Sequence, residues 1–228
     1  MLFSQVLFFC SRAQLSQDLN DWQRLNIYQK ENAQLKTEKN LGDRVVFLGN
    51  SITDFWIDSS AQFFGDNHFV DRGINGQTSP QLLLRFQQDV VHLNPKAVVL
   101  LCGINDIFGN TGPSTQEMIQ DNIISMAELA RANGIKIILC SVLPVYIYTR
   151  KPDLRPSSRI IALNQWIKAY ADQSKIPYID YYNALVDDKG GMKSIFAKDG
   201  VHPNKAGYAV MESVALPVIR KLVKKKKS

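Results

Sequence analysis

Short apolar runs alternate with longer amphipathic stretches along most of this 228-residue chain. The short runs are apolar at nearly every position, which is typical of strands that are covered on both faces of a parallel sheet. We predict five strands, at residues 44–49, 68–73, 97–103, 135–144 and 176–181. The stretches between them are long enough for helices, at residues 81–92, 115–133 and 157–174. This alternation predicts an α/β fold, a three-layer α/β/α domain with a five-stranded, mostly parallel, doubly wound sheet.

Three further segments flank or interrupt this pattern. Apolar residues recur at helical spacing near the start of the chain and predict an amphipathic helix; they are Leu15, Leu19, Trp22 and Leu25. Residues 36–43 are polar and predict a loop. Residues 145–159 form the longest irregular stretch and follow the end of a predicted strand, so we expect them to face the substrate.

The first 13 residues have some features of an export signal. An apolar stretch, residues 2–10, precedes Ser11 and Ala13, which occupy the small-residue positions of a cleavage site. The positively charged start of such a signal is missing. The segment is therefore either a truncated or degenerate signal or an ordinary part of a cytoplasmic protein, and we favour export to the periplasm or the extracellular space. Residues 14–222 contain no linker rich in proline, glycine or serine and are predicted to form one domain.

The positive charge of the chain is concentrated at its C-terminal end. The formal net charge is +6, and Arg220, Lys221 and the four lysines at 224–227 account for it, which leaves the rest of the chain neutral. We interpret residues 223–228 as a solvated basic tail, with contact to an anionic lipid or polymer as the alternative. A neutral body does not predict a nucleic-acid partner. No apolar run approaches the roughly 20 residues of a membrane-spanning helix, so no stable membrane insertion is expected, and no oligomeric state is predicted.

Short segments with polar residues and glycine follow the first three predicted strands. Ser51 follows the first, Gly76 the second, and Asn105 and Asp106 the third. The carboxyl ends of parallel strands meet at one edge of a sheet, where ligands bind in open α/β folds. Each residue alone has a simpler interpretation, since Ser51 suits a helix cap and glycine, asparagine and aspartate are common in turns.

Asp199 and His202 form a more specific pair. They lie three residues apart just before a helix predicted to begin near Asn204, which places the carboxylate within reach of the imidazole Nδ1. That contact fixes the tautomer and leaves Nε2 able to accept a proton. Together with Ser51 the pair predicts an acyl-transfer site, in which Ser51 attacks a carbonyl and His202 transfers the proton.

An acyl-transfer site also requires donors that stabilise the oxyanion. The backbone N–H groups of Ser51 and Gly76 and the side-chain amide of Asn105 are the candidates. Glycine at position 76 allows the backbone to approach the substrate closely. We expect Asp106 to have a structural hydrogen-bonding role. The three cysteines lack metal-ligand spacing, and neither a metal nor a cofactor is predicted.

These segments, in this order, resemble the SGNH or GDSL-type hydrolase family over residues 44–215. The residues that match the family's blocks are Ser51, Gly76, Asn105 and His202, with Asp199 completing the triad. The resemblance implies the flavodoxin-like fold of that family and metal-independent ester hydrolysis. The chain departs from the family at Asn50, where the first block usually has aspartate.

The resemblance implies a serine esterase acting on O-acyl esters. The segments "GNSIT" and "DGVHPNKAGY" are most similar to small secreted carbohydrate acetylesterases, which favours a short acyl group on a glycan or small-molecule ester. The alternatives are a lysophospholipase or thioesterase and a non-catalytic binding module on the same fold. Lost triad residues would have indicated the binding module, and none is lost.

Several residues near these segments are candidates for substrate contacts. The predicted set is Asn50, Ile52, Trp56, Phe108 and Arg150. Phe55, Trp56 and Phe108 are candidates for a wall beside the site, with core packing as the alternative. Arg72, Arg150 and Arg155 are candidates for holding a substrate carboxylate, and solvated loop charges are the alternative for the last two.

Overall fold

The sheet of the protein has the predicted doubly wound architecture. The computed structural model describes residues 21–38 and 43–223, and these contain one five-stranded sheet. Its strands are β1 (Val45–Gly49), β2 (Phe69–Gly73), β3 (Ala97–Leu101), β4 (Lys136–Cys140) and β5 (Tyr178–Ile179). They lie in the order β2-β1-β3-β4-β5, and all four neighbouring pairs are parallel. The order reverses beside β1, which places the topological switch point at the carboxyl end of that strand.

Helices cover both sides of the sheet, which confirms the predicted three-layer fold. They are α1 (Gln29–Thr37), α2 (Ser51–Ser59), α3 (Ala61–Asn67), α4 (Ser79–Asp89), α5 (Ile104–Phe108), α6 (Gln116–Ala132), α7 (Ser157–Gln173), α8 (Tyr181–Leu185) and α9 (Lys205–Val223). Short 3₁₀ turns lie at Val91–Leu93 and Ser194–Phe196. The three predicted long helices correspond to α4, α6 and α7. Within the described ranges, no helix combines the length and the apolar character that crossing a membrane requires.

The helix predicted around Trp22 and Leu25 is wrong in the part that the structure describes. Residues 21–28 form turns, and α1 begins only at Gln29. The Asp21 carboxylate accepts hydrogen bonds from the backbone N–H groups of Leu25 and Asn26. An aspartate side chain that takes these donors competes with the helical bonds they would otherwise make. Leu15, Leu19 and the predicted signal segment at 1–13 lie outside the described residues, as do residues 224–228 of the basic tail.

One face of α2, the helix that follows β1, packs in the core. Ile52 and Trp56 are four residues apart on this helix and therefore lie on the same face. Trp56 is only 1% exposed, stacks against Phe63 and Tyr208, and donates its indole N–H to Glu212. Ile52 is equally buried. The core-packing alternative is therefore correct for Trp56, whose predicted substrate contact is wrong, and the contact predicted for Ile52 stays a prediction.

Candidate active site

Ser51 lies at the junction between β1 and α2. The strand ends at Gly49 and the helix begins at Ser51. The Asn50 side-chain oxygen accepts a hydrogen bond from the Ile52 N–H at 3.1 Å and thereby caps the helix. The hydroxyl of Ser51 is therefore not needed as a cap, which was the simpler interpretation of its position.

The first turn of α2 is held directly against the end of β2. A Cβ atom placed on Gly73 would lie 2.0 Å from the backbone nitrogen of Asp54, which is far closer than any real contact. Glycine at this position allows the strand and the helix to touch backbone to backbone. The orientation of Ser51 is therefore fixed by rigid elements on both sides.

The imidazole of His202 connects Ser51 to Asp199. The Ser51 Oγ lies 2.9 Å from His202 Nε2, and His202 Nδ1 lies 2.8 Å from Asp199 Oδ2. The other carboxylate oxygen of Asp199 accepts the backbone N–H groups of His202 and Val201 at 2.8 and 3.0 Å. These distances form one continuous hydrogen-bonded path from the carboxylate to the hydroxyl, which is the arrangement that proton transfer from a nucleophile requires.

The environment of Asp199 favours its charged form. Partial burial alone would raise the pKa of this carboxyl group. The hydrogen bonds from the His202 backbone and ring and from the Val201 backbone outweigh burial, so the pKa lies below its usual value. The carboxylate is therefore ionised at neutral pH and can stabilise a positive charge on the imidazole.

Three candidate oxyanion donors come from three different loops. The Ser51 N–H is at the first position of α2, where an N–H has no intrahelical acceptor. Gly76 has φ +81°, a left-handed conformation that favours glycine, and its N–H donates no hydrogen bond to another described residue. Asn105 donates one amide hydrogen to the Gln77 carbonyl at 2.9 Å, which orients the side chain and leaves its second hydrogen for a ligand.

Asp106 has the structural role that the sequence predicts. It is buried, and both its carboxylate oxygens lie 3.0 Å from the backbone nitrogen of Ser79, whose hydroxyl also donates to it at 2.6 Å. These bonds join α5, which carries Asn105, to the beginning of α4.

The profile of the GDSL-like Lipase/Acylhydrolase family matches residues 47–210, which include every residue of the hydrogen-bonded path. The chain belongs to this family. It is therefore an enzyme that hydrolyses esters, and its fold is the fold of known members. This agrees with the resemblance that the sequence blocks carry.

Individual members of the family show how far the similarity extends. A proposed acylhydrolase from Bacteroides fragilis is 42% identical, covers 90% of this chain and 99% of its own, and superposes with a TM-score of 0.87. Esterase TesA of Pseudomonas aeruginosa is 28% identical over 69% of this chain and 72% of its own length. The uncharacterised lipoprotein YqeF of Bacillus subtilis is 28% identical over 56% of this chain, which spans only 60% of that relative's length.

Most of the predicted substrate contacts of this acylhydrolase are buried in the structure. Asn50 and Phe108 are buried, and the Phe108 ring stacks on Tyr148 with centroids 3.8 Å apart. Ser51 and Asn105 are similarly buried, and contact of Asn50 and Phe108 with substrate stays a prediction. Arg72 is also buried, donates to Asn32 and lies over the Tyr28 ring, so it does not reach a substrate carboxylate.

Three of the candidate contacts, Arg150, Arg155 and Phe55, are on accessible parts of the molecule. Arg150 and Arg155 are exposed in the loop between β4 and α7, and their contact with substrate stays a prediction. Phe55 is half-buried one helical turn after Ser51, with its ring centroid 5.3 Å from that of His202. This member of the predicted aromatic wall therefore lies beside the candidate catalytic histidine.

Sequence reasoning missed two buried polar residues behind the site, Gln77 and Arg85. Arg85 lies between Leu82 and Phe86 on the buried face of α4. Its place in the sequence between the apolar residues Leu82 and Phe86 was the signal that could have identified it. Gln77, next to Gly76, carried no distinctive sequence signal.

A buried carboxylate on β2, Asp71, also lies close to α2. One of its oxygens accepts the Gly73 N–H at 2.6 Å, and the other has no partner among the described residues. Burial raises the pKa of this carboxyl to about 7; the Gly73 hydrogen bond opposes the change and the charge of Asp54 adds to it. The folded protein therefore holds a proton here that the unfolded chain releases above about pH 4.

We expect Asp71→Asn to stabilise the protein at pH 8 and to leave its stability nearly unchanged at about pH 4.5. The raised pKa means that the wild type loses stability as the pH rises from about 4 to about 7, because the unfolded chain binds fewer protons there. The amide cannot ionise, so the free energy of unfolding should rise by about 1–3 kcal/mol at pH 8. Thermal and urea unfolding at both pH values measure this change. The same substitution at the exposed Asp121 is the control, and equal stability of Asp71→Asn and wild type at pH 8 would contradict the assignment.

Proposed function

We propose that this GDSL-like acylhydrolase removes short acyl groups, acetyl above all, from O-acylated carbohydrates, with Ser51 as the nucleophile. The continuous path from Asp199 through His202 to the Ser51 hydroxyl is the observation that supports the proposal most strongly. The reaction needs no metal or cofactor, because the path supplies the proton transfers and the loops supply the oxyanion donors.

The acylation step follows from this geometry. His202 Nε2 accepts the Ser51 proton while Ser51 Oγ forms a bond to the carbonyl carbon of the ester. The negative charge that develops on the carbonyl oxygen is stabilised by the N–H groups of Ser51 and Gly76 and by the Asn105 amide. Asp199 stabilises the imidazolium. Collapse of the tetrahedral intermediate breaks the bond to the alcohol, which leaves with the proton from His202.

Deacylation uses the same groups with water in place of the alcohol. His202 takes a proton from a water molecule, whose oxygen attacks the acyl carbon bound to Ser51. The second tetrahedral intermediate releases the carboxylic acid, and Ser51 recovers its proton from His202. The two steps consume one ester and one water and release one alcohol and one acid.

The exposure of the site supports a bulky alcohol. The side chains of His202 and Asp199 are 22% and 50% exposed, whereas Ser51 is buried. The leaving alcohol receives its proton from His202 and therefore departs on this open side, where a sugar unit of a larger glycan has room. The similarity of the segments around Ser51 and His202 to carbohydrate acetylesterases supports the same substrate class.

A longer acyl chain is the second candidate. Ile195, in the 3₁₀ turn shortly before Asp199, is 68% exposed, and Tyr146 and Ile147 are exposed in the loop after β4. Exposed apolar side chains shortly before the histidine and in the loop after β4 favour an apolar substrate, as in a lysophospholipase or thioesterase. The relation to a protein named an esterase, TesA, is compatible with either candidate.

We expect kcat/KM to fall at least about 10-fold from p-nitrophenyl acetate to p-nitrophenyl octanoate. Each methylene added to the acyl group that the site does not accommodate weakens binding of the transition state, and these losses add up along the acyl chain. A parallel panel compares acetylated xylo-oligosaccharides with lysophosphatidylcholine, and the Ser51→Ala variant gives the background for each substrate. Equal or rising kcat/KM with chain length, together with release of fatty acid from the phospholipid, would replace the carbohydrate proposal by the lipid candidate.

Export is also part of the proposal. Residues 1–13 would act as the signal segment, and one relative of the chain is named a lipoprotein. Mass spectrometry of the mature N-terminus in a native host tests this directly: cleavage after Ala13 supports export, and an intact N-terminus in the cytoplasmic fraction contradicts it.

A further inference from the structure

A buried arginine lies directly behind the candidate active site. Arg85, on α4, has 0% of its surface exposed and makes four hydrogen bonds. It donates to the carbonyl oxygens of Gly49 and Arg72 at 2.9 and 2.8 Å, to Gln77 Oε1 at 2.6 Å and to Asp89 Oδ2 at 2.9 Å. Asp89, one helical turn later and also buried, supplies the opposing charge.

Three of these partners belong to the segments that carry the candidate catalytic groups. Gly49 ends β1 two residues before Ser51, and Arg72 is the next-to-last residue of β2, from which the chain continues to the Gly76 loop. Gln77 follows Gly76 directly. A single guanidinium group therefore joins the segment of the nucleophile to the loop of the second oxyanion donor.

Gln77 extends this connection to the third donor. Its backbone carbonyl accepts the Asn105 amide at 2.9 Å, and its side-chain amide donates to the Gln23 carbonyl at 2.8 Å. The position of Gln77 thus affects Gly76 through the chain and Asn105 through a hydrogen bond. The hydrogen bond from Arg85 holds the side chain of Gln77 in place.

We infer that Arg85, acting through Gln77, is a positioning residue that sets the relative placement of the three oxyanion donors. The inference rests on the proposed function, because it assigns no role outside that site. The planar guanidinium matches the task, since it presents five donors in a fixed geometry and can bind acceptors from several segments at once. A lysine at the same position would keep the charge beside Asp89 and lose the fork.

The electrostatic cost of Arg85 supports a role beyond packing. A buried ion pair adds little stability compared with apolar residues of the same volume, because both ions lose their hydration. An arginine used only to fill this space would therefore be a poor choice. Its hydrogen bonds to the ends of β1 and β2 and to the Gly76 loop are what an apolar residue could not provide.

The test compares Arg85→Lys and Gln77→Leu with Arg44→Lys, and measures kcat, KM and Tm for each on p-nitrophenyl acetate. Arg44 is a matched control, because it is also buried and bonds backbone carbonyls, those of Leu93 and Leu35, but it lies just before β1 at the opposite edge of the sheet. Both test variants should lower kcat by about 10- to 100-fold, the loss expected when catalytic groups are misplaced by about 1 Å, and should change KM less than about 2-fold.

The matched variants separate positioning from general destabilisation. Arg44→Lys should lower Tm and keep kcat within about 2-fold of the wild type. Gln77→Glu keeps an acceptor for Arg85 but loses the donor to the Gln23 carbonyl, so it should recover part of the kcat that Gln77→Leu loses. This pair of variants also tests the inference if Arg85→Lys does not fold. Wild-type kcat in both Arg85→Lys and Gln77→Leu, with Ser51→Ala inactive, would overturn the inference alone. Full activity of Ser51→Ala would overturn the proposed function and the inference together.

Discussion

Ser51→Ala is expected to lower kcat on p-nitrophenyl acetate by about 10⁴-fold or more, because no other group in the site can form the acyl-enzyme. The Ser51 hydroxyl has one hydrogen-bond partner among the described residues, His202, so its removal should change Tm by no more than a few degrees. The KM of the residual activity of Ser51→Ala is expected to stay close to the wild-type value. Steady-state kinetics and thermal unfolding on the same preparation measure both effects.

A matched serine variant shows whether the loss is specific. Ser213 is exposed on α9, and its hydroxyl bonds only the Val210 carbonyl among the described residues. Ser213→Ala should therefore retain wild-type kcat and KM. If Ser51→Ala retained even a tenth of wild-type kcat, the assignment of the nucleophile would be wrong.

His202→Gln is expected to lower kcat by about 10³- to 10⁴-fold, since glutamine can donate or accept a hydrogen bond but cannot take up the Ser51 proton. Asp199 would keep its hydrogen bond from the backbone of residue 202 in this variant, so the loop itself should hold its conformation. The loss should appear in kcat/KM as well as in kcat, because proton transfer assists formation of the acyl-enzyme.

The control for the histidine variant is His68→Gln, at the end of α3, where the side chain is outside the hydrogen-bonded path. It should keep wild-type rates. Equal activity of His202→Gln and His68→Gln would show that the proton acceptor lies elsewhere and would remove the base from the mechanism.

The sequence predicts the arrangement of the site because the fold itself collects the relevant residues. The five apolar runs became parallel strands whose carboxyl ends share an edge, and Ser51, Gly76 and Asn105 follow three of them. The reversal of strand order next to β1 places Ser51 at the switch point. The apolar pattern and general rules for parallel sheets are sufficient for this part of the account.

Side-chain orientation was harder to predict, because the phase of a short helix depends on how it packs. The sequence places Phe55 and Trp56 side by side, yet Phe55 lies beside His202 and Trp56 lies in the core. The start of α2 at Ser51 decides which residue faces which way, and that start depends on the Asn50 cap. The turns near Asp21 likewise depend on one local hydrogen-bonded side chain.

The network behind the site was the least predictable part. Arg85 and Gln77 are only eight residues apart in the sequence. The hydrogen bonds of Arg85 to Gly49 and Arg72, in contrast, form only when the sheet is assembled. Such contacts have no local sequence pattern, since any arginine on an amphipathic helix is first expected to be exposed. Only the position of Arg85 between Leu82 and Phe86, which are both buried, indicates that this arginine is buried too.

The identity of the nucleophile is tested most directly by covalent labelling. A fluorophosphonate reacts with activated serines, and peptide mass spectrometry then locates the adduct. We expect one adduct per chain on the peptide that contains Ser51, complete loss of labelling in Ser51→Ala, and much slower labelling in His202→Gln. An adduct on a different serine, or full esterase activity after Ser51 is quantitatively modified, would contradict the assignment of Ser51 as the nucleophile.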